Sequence, residues 1–152
     1  MFMSDASFLA QIEAAASDPE RALALTLEHF RAETGTIHQM GPDGMLHLSA
    51  HAGNIPESLM PAIRTIPVGK GIAGLAAERR QPVDMCNLQT DTSGDSKPSA
   101  RKTGAQGTVC VPMLDGDRVA GTVGIATSVP RQFSDAEIAE LMSVGRLLAA
   151  HG

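Results

Sequence analysis

The sequence predicts an α+β fold: a central antiparallel sheet with helices at both ends of the chain. Three observations predict it. Apolar residues recur at helical spacing up to position 33, the period changes to two from Gly35, and helical spacing returns after Phe133. The helices and strands in between alternate irregularly, which argues against a doubly wound parallel sheet. With 152 residues, 43% of them apolar, the chain is expected to form one domain. Its N-terminal helices span 1–33, its sheet-forming segment 34–132 and its closing helix 133–152.

Each element follows from local chemistry. Ser4-Asp5 can cap a first helix that places Phe8, Leu9, Ile12 and Ala16 on one face. Ser17-Asp18-Pro19-Glu20 restarts a helix, with a polar cap, proline at the first position and acid in the first turn. Thr36–Met40 and Met45–His51 read as strands about the turn Gly41-Pro42-Asp43-Gly44. A symmetric turn there sets Met40 against Met45 and His38 against His47, with His51 on the same face as His47. Pro56–Ile63 can form a short helix, Ile72–Arg80 is Ala-rich and helical, and Pro82–Cys86 reads as a strand. Thr108–Leu114 and Arg118–Ala126 form the clearest strand pair. Ser134, with Glu137 three residues on, opens the last helix as a capping box, and Ile138, Leu141, Met142, Leu148 and Gly145 line its apolar side.

Composition removes whole classes of function. There are four Phe, no Tyr and no Trp, which argues against base-stacking platforms and aromatic cages. The net charge is −5, from 12 basic and 17 acidic residues, and no basic block offers a phosphate-tracking surface. The apolar runs are too short for a membrane span, and Met1-Phe2-Met3-Ser4-Asp5 is not a signal peptide, so a soluble cytoplasmic domain is expected. Two cysteines do not make a disulfide scaffold.

Four features carry candidate chemistry. Gly69-Lys70-Gly71-Ile72-Ala73-Gly74 satisfies G-x-G-x-x-G, but the preceding Thr65-Ile66-Pro67-Val68 is a poor central strand, against a dinucleotide site. Two readings stay open for it: helix-opening N–H groups that hold an anion or a carbonyl, or a tight turn that lets the helix pack close to the sheet. His38, His47 and His51 are pocket-lining or solvated, since His47 and His51 stand about 13 Å apart along a strand, too far to share one metal ion. Cys86 and Cys110 lie close if their strands pair. They are either a redox couple or two ordinary thiols, and no Lys, Arg or His flanks either to favour a thiolate. The polar segment 87–107 is too long for a connector; it fits neither an EF-hand nor a G-x-S-x-G nucleophile, and it suits polar recognition of a small ligand or a solvated surface loop.

The order of these motifs resembles the GAF domain family. Ile66 to Ala77 resembles its helix-opening signature, and Arg80-Gln81-Pro82-Val83 its turn into the next strand. Thr108 to Met113 and Val119 to Ile125 resemble the following strands, and Phe133 to Glu137 the start of its closing helix. The resemblance implies terminal helices on one sheet face and, on the other, a ligand pocket roofed by the helix after Gly71 and the loop after Cys86. It also implies pairing through the terminal helices. Members with defined chemistry are matched poorly. The Asn-Lys-Phe-Asp-Glu signature of cyclic-nucleotide binders and the Cys-His pair of bilin binders have no counterpart. The free-methionine sulfoxide reductases of the family carry cysteines where this chain has Ala73 and where it has none between Asn87 and Val109.

The expectation is therefore a non-catalytic sensory module for a small polar or anionic ligand, acting through a homodimer or a separate signalling protein. Its binding residues are expected to be His38, His47, His51, Gly71, Ile72, Ala73, Cys86, Asn87, Thr90, Asp91, Thr92, Asp95 and Cys110, with Ile37, Leu46, Leu48 and Ala50 facing the helices. No cofactor, metal, nucleic acid or membrane enters this expectation. The rival reading is a thiol redox enzyme or sensor built on Cys86 and Cys110.

Overall fold

A computed structural model describes residues 5–87, 89 and 105–151, without the side chains of 5, 6 and 151. Ser4, Thr90, Asp91, Thr92 and Asp95 lie outside the described residues. Two helices open the chain, α1 (Asp5–Ala14) and α2 (Pro19–Phe30). Asp18 caps α2 by accepting the Arg21 N–H at 3.3 Å, and Arg31 ends it in the left-handed region. The strands are β1 (Thr34–Met40), β2 (Met45–Ala52), β3 (Thr65–Pro67), β4 (Val83–Met85), β5 (Gly107–Asp115) and β6 (Arg118–Thr127). A single 3-10 turn (Glu57–Leu59) and α3 (Met60–Arg64) precede β3, α4 (Gly71–Arg79) precedes β4, and α5 (Asp135–His151) closes the chain. The expected capping box forms: Ser134 Oγ accepts the Glu137 N–H at 3.1 Å and Glu137 Oε1 accepts the Ser134 N–H at 3.0 Å.

The six strands form one antiparallel sheet in the order β3-β2-β1-β6-β5-β4. Pro67 is tolerated because β3 is an edge strand. One face of the sheet carries the core: Phe8, Ile12, Leu23, Leu27 and Phe30 from α1 and α2, and Leu141, Val144 and Leu148 from α5, meet Ile37, Val109, Val111, Val123 and Ile125. A Cβ on Gly145 would stand 3.0 Å from the Pro112 carbonyl oxygen, so glycine is what lets α5 approach β5 this closely. His29 Nε2 lies 2.6 Å from Glu140 Oε1, and its ring stacks on Phe8 at 3.7 Å, tying the three terminal helices together. None of the described helices is long and apolar enough to cross a membrane.

The β1–β2 register corrects the symmetric-turn expectation. The Gly41 N–H donates to the Met45 carbonyl at 2.8 Å around a three-residue loop in which Gly44 takes φ +77°. The pairing is thereby advanced by one residue: Met40 faces Leu46, Gln39 faces His47, and His38 faces Leu48. A one-residue slip moves a side chain to the other face, so His47 and His38 lie on opposite faces. A bulge then leaves Ser49 extra and restores Ile37 to Ala50 and Thr36 to His51. His51 therefore does not share a face with His47. Ile37 and Ala50 face the terminal helices as expected, whereas Leu46 and Leu48 lie on the opposite face.

Candidate functional site

The face opposite the terminal helices is built of three cross-strand rungs. Register places Thr34, Ala126, Thr108 and Met85 on the first. His51, Thr36, Gly124, Cys110 and Val83 make the second, and Leu48, His38, Thr122 and Pro112 the third. Where the central strands carry Ile37, Val109, Val111, Val123 and Ile125 on the helix side, they carry Thr36, His38, Thr108, Cys110, Thr122 and Gly124 here. Gly124 makes the centre flat. A methyl placed there would touch Cys110 Sγ at 3.5 Å and Thr36 Oγ1 at 3.7 Å, with no collision.

Over these rungs lies a cavity of about 200 Å³. Its floor includes Thr36, His38, Thr108, Cys110 and Gly124. Leu59, Ala62, Ile63 and Ile66 wall one side, and Lys70, Gly71, Ile72 and Ala73 close it from α4. The glycines around Lys70 have a structural reason. Gly69 and Gly71 take φ of +89° and +67°, and the Gly69 N–H donates to the Gly74 carbonyl at 2.8 Å. A Cβ on Gly74 would collide with the Pro67 carbonyl. The tight-turn reading thus holds, and β3 is an antiparallel edge strand, so the dinucleotide context is absent. The same turn aims the start of α4 at the cavity. The N–H groups of its first turn lack intrahelical partners, and no side chain caps them. That end can hold negative charge.

His38 is the one buried ionisable side chain on the third rung, 2% exposed. Its Nε2 lies 2.7 Å from the Ile63 carbonyl oxygen, which can only accept, so Nε2 carries the proton and Nδ1 holds a lone pair. Nδ1 is buried without a partner. Burial pushes the His38 imidazole below its ordinary value and outweighs the Ile63 hydrogen bond, so the ring is neutral near pH 7. Cys110 is also buried, and burial pushes its thiol up to about 12.

Of the expected binding residues, His38, Gly71, Ile72, Ala73 and Cys110 line the cavity. Among the described residues, His47, His51, Cys86 and Asn87 do not. His47 instead meets Asp43 at 2.9 Å across the hairpin turn, and His51 is exposed at the rim of the sheet. β4 and β5 do pair, but Cys110 faces Val83 and Cys86 lies three residues further on, about 10 Å along the strand. Both thiols are free; Cys86 is exposed. The Asn87 side chain accepts the Gln89 N–H at 3.0 Å, and Gln89 Nε2 reaches the carbonyl of Ala105, itself a cavity residue. Sequence reasoning missed Thr36, Thr108, Lys70 and the wall from Leu59 to Ile66. The signal for the threonines was present: Thr34, Thr36 and His38, like Thr108 and Cys110, alternate with core residues at period two.

No curated protein matches the sequence. Among solved structures, the chain is similar to the GAF domain of an Acinetobacter phosphoenolpyruvate-protein phosphotransferase, with TM-score 0.79, 17% identity, and 99% of this chain and 93% of that one covered. It is similar to a free methionine-R-sulfoxide reductase from Neisseria meningitidis solved with its substrate, with TM-score 0.78, 18% identity, and 99% and 93% covered. It also resembles a GAF sensor protein from Burkholderia vietnamiensis, with TM-score 0.72, 17% identity, and 98% and 96% covered. These likenesses establish the fold and span both sensors and enzymes. A family model for the GAF domain matches residues 16–151, and the chain belongs to the GAF domain family.

Proposed function

We propose that the chain is a sensory module that holds a small polar or anionic molecule between its sheet and α4, without turning it over. The observation that carries this reading is the cavity itself: about 200 Å³ closed on one side by the uncapped start of α4, and floored by a neutral histidine whose Nδ1 has no protein partner. Buried polar groups are normally satisfied, so an unpartnered atom beside a cavity marks where another molecule belongs. Occupancy passes to a second copy or to a separate signalling protein. The groove between α1 and α5, where Leu9 and Leu147 stand beside Glu13 and Arg146, supports the first route.

The competing reading is thiol redox chemistry, and Cys110 in the cavity is the observation that favours it. A thiol held near 12 is ionised in only about one molecule in 10⁵ at pH 7, which makes it a poor nucleophile. Cys86 is too far along the strand to resolve it. Thermal-shift screening of anions, amino acids and nucleotides tests the two together. A ligand at about 100 times its Kd adds about 2.7 kcal/mol, or roughly 5–10 °C in Tm. That stabilisation is expected to survive the double substitution Cys86→Ser and Cys110→Ser. Reduction of free methionine sulfoxide by the wild type, lost in the double variant, would replace the sensor reading with the enzymatic one.

A further inference from the structure

The cavity pairs an unmet hydrogen-bond acceptor with hydrocarbon walls. His38 lines it and is 2% exposed. Its Nε2–H is taken by the carbonyl of Ile63, itself a wall residue, so the ring cannot turn without breaking that bond. Nδ1, with a lone pair and no proton, is left without a donor from the protein. An occupant that supplies a donor removes the cost of burying that lone pair unpaired, and one that brings only acceptor oxygens does not. Thr36 stands two residues back on the same face of β1, about 7 Å along the strand, and its hydroxyl can donate to an oxygen held between the two.

The rest of the lining sets what the donor is attached to. Leu59, Ala62, Ile63, Ile66 and Ile72 present hydrocarbon, against which a charged group is left unpaired at a high cost. The exposed end of the cavity at Lys70 does not select a charge, because the Glu78 carboxylate lies against the neighbouring Gly69 and brings the opposite sign. A dry cavity of about 150 Å³ takes a molecule the size of benzene, so about 200 Å³ suits roughly six to nine non-hydrogen atoms.

We infer that the cavity takes a small uncharged alcohol, its hydroxyl donating to His38 Nδ1 and its hydrocarbon against Ile63 and Ile66. The inference rests on the reading of the cavity as a ligand site and narrows the ligand to one chemical class. The matching ketone fills the same space and can accept from Thr36, but its oxygen turns a second lone pair toward Nδ1. A carboxylate does the same, and it must also shed its water among the isoleucines.

Cyclohexanol and cyclohexanone test this, since they share one ring and differ in whether the oxygen can donate. Each is titrated calorimetrically into the full chain at about pH 7.5, where the His38 ring is neutral. Cyclohexanol is expected to bind about fivefold more tightly than cyclohexanone, or better, as one neutral hydrogen bond implies. Nitrogen-15 NMR of the imidazole rings is the second readout and needs no variant. Saturating cyclohexanol is expected to shift the unprotonated Nδ1 resonance of His38, and cyclohexanone to move it far less. Equal or tighter binding of the ketone overturns the inference, and so does an Nδ1 resonance that stays in place while cyclohexanol is bound. If neither compound binds while another in the thermal-shift panel stabilises the chain, this inference fails and the ligand-binding reading stands. If nothing in that panel stabilises it either, both fail.

Discussion

Two glycines three residues apart on β6 should respond to the same substitution with opposite signs. Gly124 sits on the cavity side. An added methyl there makes ordinary contacts with Cys110 and Thr36 and lies at an unstrained φ. Gly124→Ala should therefore stabilise by about 0.4–1 kcal/mol through the unfolded chain, raising Tm by about 1–4 °C at this size. Gly121 faces the other way. A methyl there collides with the backbone oxygen of His38 and stands 3.0 Å from Met113 Cε, and backbone cannot rotate aside. Gly121→Ala should destabilise by about 3 kcal/mol or more and lower Tm by roughly 6–12 °C. The methyl at 124 also takes up floor space of about one water molecule, some 30 Å³. A ligand that fills the cavity should then lose affinity by roughly 5- to 150-fold, as overpacking by about 1–3 kcal/mol implies. Calorimetric unfolding of both variants, with a binding titration on Gly124→Ala, measures all three effects. A fall in Tm for Gly124→Ala, or no change for Gly121→Ala, would refute the assignment of faces along β6.

Three further outcomes follow from local chemistry. Iodoacetamide on the native protein near pH 8 should label Cys86 and spare Cys110, read by peptide mass spectrometry, because Cys110 is buried with its thiol near 12. Ser134→Ala should lower stability by about 1 kcal/mol by removing half of the capping box, visible as a Tm drop of about 2–4 °C. Stability should also fall on acidification in two stages. The lowered value of His38 means that the unfolded chain takes up the proton first, so its contribution is complete above the ordinary 6.5 and is lost as pH falls below it. Burial alone would raise the Glu137 carboxyl, but the Ser134 N–H and the Arg131 guanidinium outweigh it and hold it low, so its contribution is lost only below 4.5. Urea unfolding from about pH 7.5 to about pH 3 should show both stages, and His38→Asn should remove the first.

The sequence carried the architecture because the relevant signals are local. Ser134 and Glu137, Asp18 and Pro19, and the alternation of Val109 and Val111 with Thr108 and Cys110 each act within a few residues. The site was only partly legible for a matching reason. Its floor depends on register, and register depended on one hydrogen bond, Gly41 to Met45, closing a three-residue loop in place of a symmetric turn. That single step sent His47 to the other face, and the Ser49 bulge then put His51 at the rim. Leu46 and Leu48 changed faces with it. The wall from Leu59 to Ile66 was harder still, because neither the 3-10 turn nor the short α3 has enough residues to show a periodicity.

The two faces of the sheet divide a filled core from a cavity. On the helix side, Ile37, Val109, Val111, Val123 and Ile125 are each at most 2% exposed and pack against three helices. On the other side the same strands present Thr36, Gly124 and Cys110, too small to fill the space beneath α3 and α4. At about 24 cal/mol per Å³, an unfilled apolar space of this size forgoes at most about 5 kcal/mol, comparable with the whole net stability of a small domain. A protein selected only to fold would have placed larger residues on those rungs. α3 and α4 cover the cavity, and neither joins the main core. An occupant would therefore add contacts outside the main core. Occupancy should accordingly be read out as ordering of α3 and α4 against the sheet, seen as slower amide hydrogen exchange in those two helices.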